Sequence, residues 1–285
     1  MKLHNPSADI FVPDGAPLGE ALSRITHMGI GAHQDDLEFM ALHGIGECFD
    51  HAGGRWFGGV TCTDGGGSSR VGPYAEYSDE QMRRVRIGEQ RAAAAAGRYA
   101  AMIQLGHPSA AVKTLADPSL RDDLRAILDA SRPEVVYTHN LADKHPTHIG
   151  VTVAALEAIR SLPPEARPRK VIGCEVWRGL DWMDDAKKVV MDVTAHAALG
   201  AELALLFDSQ IAGGKRYDLA TAGRRAANAT FFNPHATDRS SEVIYGMDLT
   251  PLAEDASLDI AAYAHGLAAE LAADVRRKVE AALAR

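Results

Sequence analysis

Short apolar runs alternate with longer amphipathic segments along the first two thirds of the chain. Each run is bounded by glycine or polar residues and predicts a buried strand; the runs are ITHMGIGA, WFGGVTCT, AMIQLG, EVVYTH and VIGCEVW. Helical patterns separate them, and one helix is predicted to begin at a capping box between Ser78 and Gln81. This order predicts an α/β fold with a Rossmann-like, mostly parallel sheet, right-handed crossovers and helices on both faces.

The last hundred residues contain two more predicted strands, KKVVMDV and SEVIYGMDL, and the helical patterns TAHAALGAELALLFDSQ and LDIAAYAHGLAAELAADVRRKVEAALA. The segment RRAANATFFNPHATDRSSEVIYGMDL mixes arginine, asparagine, histidine and aromatic residues, and we interpret it as closing over a site. No repeat or linker interrupts the chain. We therefore predict one domain over residues 1–285, with residues 171–285 as a C-terminal subregion that completes the substrate site.

Composition narrows the class of protein. Of the 285 residues, 46% are hydrophobic and 24% are charged, which is typical of a chain that buries a core. A formal net charge of -8 argues against non-specific attraction to nucleic acid or to an anionic membrane. Three cysteines without a CxxC pair are unlike a disulfide framework, and no apolar run reaches membrane-spanning length. We expect a soluble cytoplasmic protein without nucleic-acid or membrane partners; a homo-oligomer is left open.

Histidine and acidic residues are concentrated at the ends of two predicted strands. The first strand is followed by His33, Asp35 and Asp36. The fourth strand ends in a second cluster, which consists of His139, Asp143, His145 and His148. Because ligands of parallel α/β sheets bind beyond the carboxyl ends of the strands, two adjacent strand ends would bring both clusters to one point.

These residue types are those of a catalytic metal site. An imidazole and a carboxylate from the first cluster, with an imidazole from the second, would supply three ligands and leave a position open for water. Catalytic zinc has this arrangement, although Fe(II) also suits two histidines and one carboxylate. Asp35, next to Asp36, would remain available as a general base. His145 would stay protonated and would stabilise the oxyanion or protonate the leaving amine.

Each motif also has a structural interpretation. An isolated HxDD sequence is more commonly a helix cap than a metal site, and an isolated HxxH pair is a weak signal. Here both motifs occur, each directly after a strand-like run, which favours a metal site. The other single histidines are interpreted as structural or solvated, and the roles of His139 and His235 are left undecided.

The paired motifs AHQDDLE and HPTH resemble those of the PIG-L, or LmbE-like, family of zinc-dependent N-acetylglucosaminyl deacetylases. The resemblance implies that His33, Asp36 and His148 bind Zn²⁺, with Fe²⁺ or another divalent metal as alternatives. It also implies that Asp35 is the general base and that His145 stabilises the tetrahedral intermediate.

The resemblance extends beyond these two motifs. TDGGGSSR resembles the family's Gly-rich loop, and DSQ resembles its C-terminal SQ element. RIGEQRAAAAAG resembles the family's R-x-x-E-x-x-x-A helix, which makes Arg86 a predicted substrate contact; Asp143 is a second one. Gln34 and Thr147 depart from the family pattern, and the absence of a carboxylate at Thr147 would lower the pKa of His145.

The leading hypothesis is a metal-dependent hydrolase that removes an N-acetyl group from an amino-sugar substrate, such as an N-acetylglucosamine conjugate, by attack of a zinc-bound water. One alternative is an amidase acting on a larger conjugate. Another is a non-catalytic metal- or sugar-binding protein, which would not need Asp35. A nucleotide-binding Rossmann protein is disfavoured because GIGAHQ lacks the third glycine and is followed by acidic residues where a pyrophosphate would lie.

Overall fold

The computed structural model describes residues 1–284. The strands are β1 (Asp9–Phe11), β2 (His27–Gly31), β3 (Phe57–Thr63), β4 (Ala101–His107), β5 (Val135–His139), β6 (Lys170–Cys174), β7 (Lys188–Asp192) and β8 (Val243–Asp248). The α-helices are α1 (Leu18–Ser23), α2 (Asp36–Met40), α3 (Leu42–Cys48), α4 (Asp79–Ala96), α5 (Ser109–Thr114), α6 (Ser119–Ser131), α7 (Pro146–Arg160), α8 (Ala197–Leu205), α9 (Asp208–Ile211), α10 (Tyr217–Phe231), α11 (Thr250–Glu254) and α12 (Ile260–Leu283).

The strands form one sheet in the order β1-β4-β3-β2-β5-β6-β8-β7. From β4 to β6 the neighbouring strands are parallel, whereas β1, β8 and β7 are joined by antiparallel pairing. The chain first extends the sheet from β2 towards β4 and then places β5 on the other side of β2, where His27 pairs with Val135 and Gly29 with Tyr137. The strand order therefore reverses between β2 and β5, and a crevice is expected beyond their carboxyl ends.

Each face of the sheet has its own core. Val136 and Val171 belong to a cluster that includes residues of α1, α6 and α7. Tyr137 and Ile172, the next residues along the same strands, belong to a second cluster with residues of α2, α3 and α8. Successive strand residues point to opposite faces, so both faces of β5 and β6 are covered by helices. This arrangement explains the continuous apolar runs in the sequence and confirms the predicted α/β fold.

All seven predicted strands are present, as β2 to β8. Strand β1 has only three residues, too few for a periodic pattern to reveal. Helix α4 begins at the predicted capping box, in which Ser78 Oγ accepts the Gln81 N–H at 3.3 Å. The helix predicted after the first strand is broken at Ala41 into α2 and α3. Within the described chain, no helix is both long enough and apolar enough to cross a membrane.

The segment expected to close over a site forms the second half of α10, a connection and strand β8. Arg225 of α10 is buried, and its guanidinium donates to the carbonyl oxygens of Glu38 and Phe39 at 3.1 and 3.0 Å. These carbonyls belong to the last turn of α2 and have no amide partner within so short a helix. Helix α10 therefore holds α2 in place by hydrogen bonds, and α2 is the helix that begins with Asp36.

Helix α7 packs closely against α5 through a glycine. A Cβ placed on Gly150 would overlap the carbonyl oxygen of Val112, which is part of the α5 backbone and cannot rotate away. We expect Gly150→Ala to lower the free energy of unfolding by about 1–3 kcal/mol, because α7 must move away from α5. Urea unfolding monitored by circular dichroism would measure the change.

Gly88→Ala in α4 is the matched control, because a Cβ at this exposed position would have no described atom within 4 Å. Alanine favours a helix over glycine by about 0.8–1.0 kcal/mol, so this variant should be at least as stable as the parent. A Gly150→Ala protein with unchanged stability would contradict the close packing of α5 and α7.

Candidate metal centre

The loop after β2 turns sharply into α2 at Asp35. The φ angle of Asp35 is 103°, a conformation that costs a non-glycine residue about 1–3 kcal/mol. Asp35 immediately precedes α2, but its side chain makes no capping hydrogen bond. Its backbone N–H donates instead to Gln90 Oε1 at 3.2 Å. The helix-cap interpretation of HxDD therefore does not account for the Asp35 carboxylate.

The loop after β5 presents two histidines at the beginning of α7. His145 immediately precedes this helix, and His148 lies in its first turn. The Asp143 carboxylate holds the loop in place, because one oxygen accepts the His145 N–H at 2.8 Å and the other accepts the Trp177 N–H at 3.0 Å. The same side chain thus connects the loops that follow β5 and β6.

His33, Asp36 and His148 each bring one candidate ligand atom to a common point. His33 Nδ1 lies 3.3 Å from both Asp36 Oδ2 and His148 Nε2, and these last two atoms are 3.6 Å apart. Ligands about 2.0–2.1 Å from a tetrahedral zinc are separated from one another by roughly 3.3–3.4 Å. The three atoms therefore fit three corners of a zinc tetrahedron, and the donor set suits a divalent metal.

Two further residues of the second cluster lie behind this triad. His139 is fully buried, its Nε2 accepts the Ala32 N–H at 2.9 Å, and its ring stacks on His148 with centroids 3.8 Å apart. Asp143 Oδ1 lies 3.3 Å from His148 Nδ1, on the opposite side of the ring from the candidate ligand atom. A carboxylate in this position holds a metal-binding histidine in the required tautomer and orientation. The Asp143 side chain is buried and is not part of the cavity wall described below, and its contact with substrate stays a prediction.

Burial and neighbouring charges separate the two adjacent aspartates. Burial alone would raise the pKa of Asp36, but His148 and His139 outweigh it and hold this pKa well below its usual range. Burial raises the pKa of Asp35 well above its usual value, and Arg86 only partly opposes the shift. Asp36 is thus an ionised carboxylate among imidazoles, whereas Asp35 has a stronger affinity for a proton.

His145 differs from its prediction in one respect. Burial, followed by the neighbouring His148 and His33, lowers the pKa of His145 to about 4. The direction of this pKa shift agrees with the expectation, but its largest cause is burial and not the missing carboxylate at Thr147. The protonated His145 inferred from the sequence is therefore disfavoured here. A neutral imidazole still carries one N–H and can donate a hydrogen bond.

Arg86 connects the first loop to the Gly-rich loop. It is buried, its Nη2 lies 3.2 Å from Asp35 Oδ2 and also donates to the Gln34 carbonyl, and its Nη1 donates to Ser68 Oγ. Gly65 permits this packing, because its φ is +68° and a Cβ there would overlap the Gln34 side chain. Arg86 therefore positions Asp35 in addition to bordering the cavity described next.

The other two elements found by resemblance also meet in the structure. Glu89, the acidic residue of R-x-x-E, accepts the backbone N–H and the hydroxyl of Ser209 at 2.7 and 2.6 Å. Gln210, the neighbour of Ser209, lines the cavity. The SQ element is thus fastened to the helix that carries Arg86.

A cavity of about 500 Å³ opens over the triad. Its wall includes two of the three candidate ligands, the candidate catalytic residues, Arg86 and part of the Gly-rich loop, namely His33, Asp36, Asp35, His145, Arg86, Gly65, Gly67, Ser68 and Ser69. Helices and loops elsewhere contribute Phe39, Lys113, Trp177, Lys215, Tyr217 and Arg224, among others. Trp182, five positions after Trp177, instead packs against the core.

Sequence motifs do not identify Phe39, Lys113, Lys215 and Tyr217. They come from three separate places in the chain, and none lies in a spacing that a known chemistry requires. Of the segment expected to close over the site, Arg224 lines the cavity. Gln210, found through the SQ element, lines the cavity as well, so two features of the sequence indicated that this part of the chain reaches the site.

Residues 28–159 match the family model described as PIG-L: GlcNAc-PI de-N-acetylase. The chain therefore contains a PIG-L family domain, and the resemblance of AHQDDLE and HPTH to this family is confirmed. No curated protein sequence matches the chain.

Solved structures with this fold are distant in sequence. A conserved protein from Thermus thermophilus is 17% identical, with a TM-score of 0.60 over 78% of this chain and 94% of that chain. N,N'-diacetylchitobiose deacetylase from Pyrococcus horikoshii is 16% identical, with a TM-score of 0.58 over 79% of this chain and 84% of that chain. The 4-carboxy-2-hydroxymuconate hydratase GalB from Pseudomonas putida is 16% identical, with a TM-score of 0.57 over 78% of this chain and 94% of that chain. These similarities establish the fold, and the reaction must be argued from the site.

Removal of a candidate ligand tests the metal centre. We expect one divalent ion per chain in the parent. His148→Ala should lose at least about 90% of this metal, because damage to the ligand shell of a metal weakens its binding by roughly tenfold or more. Metal analysis of the protein after dialysis against zinc would measure the content. His235→Ala, which removes an exposed histidine, should retain the parental amount. Full zinc content in His148→Ala would exclude this residue as a ligand.

Asp143 can be distinguished as an orienting residue or a substrate contact. If its carboxylate orients His148, Asp143→Asn should weaken zinc binding by about 10–100-fold. Competition with a chelator of known affinity would give the Kd for zinc. If Asp143 contacted the substrate instead, the zinc Kd would be unchanged and KM would rise.

Proposed function

We propose that the protein is a metal-dependent deacetylase that hydrolyses the N-acetyl group of an amino-sugar substrate. The observation that carries the proposal is the different placement of two adjacent carboxylates, Asp36 and Asp35. Asp36 belongs to the His33, Asp36 and His148 triad, while Asp35 is held in a costly backbone conformation at the cavity wall. A site that only bound a metal would have no use for the second carboxylate.

The triad is proposed to hold Zn²⁺, with Fe²⁺ as the alternative that the same donor set allows. A divalent ion bound there would act as a Lewis acid towards the acyl carbonyl and would lower the pKa of a water molecule. Asp143 and His139 keep the His148 ring in place from behind. The ligand atoms are therefore held before the ion arrives.

Asp35 is proposed to take the proton of the attacking water. Its Oδ2 is engaged by Arg86 at 3.2 Å, which leaves Oδ1 as the oxygen that receives the proton. The Arg86 guanidinium and the Gln90 side chain fix the orientation of Asp35 from α4. Arg86 is therefore proposed to position the base as well as to contact the substrate.

His145 is proposed to donate its N–H to the oxygen on which negative charge develops. The ring lies with its centroid 5.1 Å from that of His33 and 4.8 Å from that of His148, at the edge of the triad. Donors aimed at a developing oxyanion commonly contribute a large part of the rate enhancement. The leaving amine then needs a proton, and the proton held on Asp35 is the available source.

The name of the matched family and the chitobiose deacetylase neighbour support the acetyl group and the amino sugar as substrate features. The C-terminal part of the chain, residues 171–285, is proposed to complete the substrate site of a single domain through Trp177, Gln210 and Tyr217. The hydratase neighbour shows that the fold also carries other chemistry. Release of acetate is therefore the decisive observation.

Replacement of Asp35 separates catalysis from binding. Asp35→Asn should retain the zinc content and lower kcat by about 10²–10⁴-fold, because a positioned base typically contributes this much. Acetate release from a panel of N-acetylated sugars and zinc analysis would be measured on the same preparation. Asp50→Asn, at a largely exposed position, is the matched control for loss of one carboxylate.

Two outcomes would contradict the proposal. Deacetylation by Asp35→Asn at the parental rate would remove the general-base role. If the parent held zinc but released no acetate from the panel, a non-catalytic metal- or sugar-binding protein would be the better account. Turnover of large N-acylated conjugates alone would favour the amidase hypothesis.

A further inference from the structure

Glu38 is a buried carboxylate that the proposed chemistry does not use. It lies in α2, two positions after the candidate ligand Asp36, and is part of neither the triad nor the cavity wall. Its Oε1 accepts hydrogen bonds from Tyr99 Oη at 2.7 Å and from Gln90 Nε2 at 2.9 Å. A polar group at this depth opposes folding unless such partners compensate it. Packing alone therefore does not account for a carboxylate at this position.

The beginning of α2 shows what this carboxylate is connected to. Asp35 immediately precedes α2, so Glu38 is the third residue of the helix. In the capping box of α4, the third residue, Gln81, accepts the Ser78 N–H directly at 2.8 Å. In α2, the Asp35 N–H donates instead to Gln90 Oε1 at 3.2 Å, and Gln90 Nε2 donates to Glu38. The Gln90 side chain is therefore inserted between the two ends of a capping box.

Glu38 determines which way the Gln90 amide faces. The two ends of an amide differ, because its oxygen accepts hydrogen bonds and its nitrogen donates them. Glu38 Oε1 receives two donors and acts only as an acceptor, so the nitrogen of Gln90 must face it. The oxygen of Gln90 then faces the Asp35 N–H. An apolar residue in place of Glu38 would leave the amide free to turn over.

The N–H held in this way belongs to a residue with a strained backbone. Asp35 has a φ angle of 103°, a conformation that persists only when the surrounding structure holds it. Its carboxylate lines the cavity and makes no capping hydrogen bond. An aspartate before a helix commonly turns its side chain to the free N–H groups of the first turn. The bridge through Gln90 favours the orientation towards the cavity over this capping orientation.

We propose that Glu38 is a positioning residue for Asp35, which acts through Gln90 and keeps the Asp35 carboxylate at the cavity wall. The proposal rests on the proposed function of Asp35 as the base and deepens it. Arg86 holds the carboxylate itself at 3.2 Å, whereas Glu38 and Gln90 hold the backbone that carries it. The base is thus fixed from both ends.

Replacement of Glu38 by methionine removes the acceptor and leaves an unbranched side chain. Glu38→Met should lower kcat by about 10–100-fold, because a small displacement of a reacting group has an effect of this size. KM and the zinc content should keep their parental values, because Glu38 belongs to neither the cavity wall nor the triad. Acetate release and metal analysis would be measured on the same preparation.

Gln90→Met breaks the same bridge from α4 and should give the same loss of kcat, so either variant serves if the other does not fold. The double variant should lose no more than one of the single variants, because the two residues act as a unit. Losses that add in the double variant would overturn the proposal.

Three further variants separate positioning from general damage to the fold. Glu38→Gln keeps an acceptor in one of its two amide orientations and should lose less kcat than Glu38→Met. Tyr99→Phe removes the other donor to Glu38 but leaves the bridge through Gln90, so it should also lose less. Glu202→Met makes the same change at an exposed position of α8 and should keep the parental kcat. Equal losses in Glu38→Met and Tyr99→Phe would contradict positioning through Gln90.

Hydrogen exchange of the Asp35 amide separates this proposal from the proposed function. In the zinc-loaded protein, NMR should show exchange at least about tenfold faster in Glu38→Met than in the parent, as the loss of a buried hydrogen bond allows. If the parent releases no acetate but this exchange accelerates, the deacetylase proposal fails and the positioning of Asp35 by Glu38 stands. If the parent releases acetate and Glu38→Met changes neither the exchange nor kcat, the positioning proposal fails and the deacetylase proposal stands.

Discussion

The meeting of a buried carboxylate with three imidazoles, at the carboxyl ends of β2 and β5, is the interaction on which the site depends. Asp36 Oδ2 accepts the His33 N–H at 2.7 Å and lies within 3.6 Å of ring nitrogens of His33, His139 and His148. An unpaired carboxylate at this depth would be strongly unfavourable. The loops satisfy it only because β5 lies directly beside β2 in the sheet.

Helices that contribute no ligand hold this centre in place. From α4, Gln90 and Arg86 keep Asp35 in a backbone conformation that it would not adopt alone. From α10, Arg225 binds the last carbonyls of α2. The strain at Asp35 is thus supported by hydrogen bonds from elements far away in sequence, as expected where a catalytic side chain needs a fixed direction.

The cavity is electrostatically divided. Its inner end contains ionisable groups whose charges compensate one another, with Asp36 among histidines and Asp35 beside Arg86. Its wall also carries Lys113, Lys215 and Arg224, which have no carboxylate partners among the described residues. Structural neighbours that include a deacetylase and a hydratase show that a shared fold does not determine the reaction. The reaction and the substrate therefore depend on how this chain arranges charge around the cavity.

The local sequence determined the strands, the capping box of α4 and the types of residue available at two strand ends. These features depend on neighbouring positions, so periodicity and spacing reveal them. The resemblance of AHQDDLE and HPTH to the family's motifs identified His33, Asp36 and His148 as candidate ligands, and the structure brings their ligand atoms together.

Only the tertiary structure decided what lies beside these residues. It placed Asp143 behind His148 rather than in the cavity, lowered the pKa of His145 through burial, and brought Lys215 next to Trp177. His148 and His33 are separated by 115 positions, and their contact requires a particular strand order. Burial and long-range contacts follow from that order, which local patterns in the sequence do not encode.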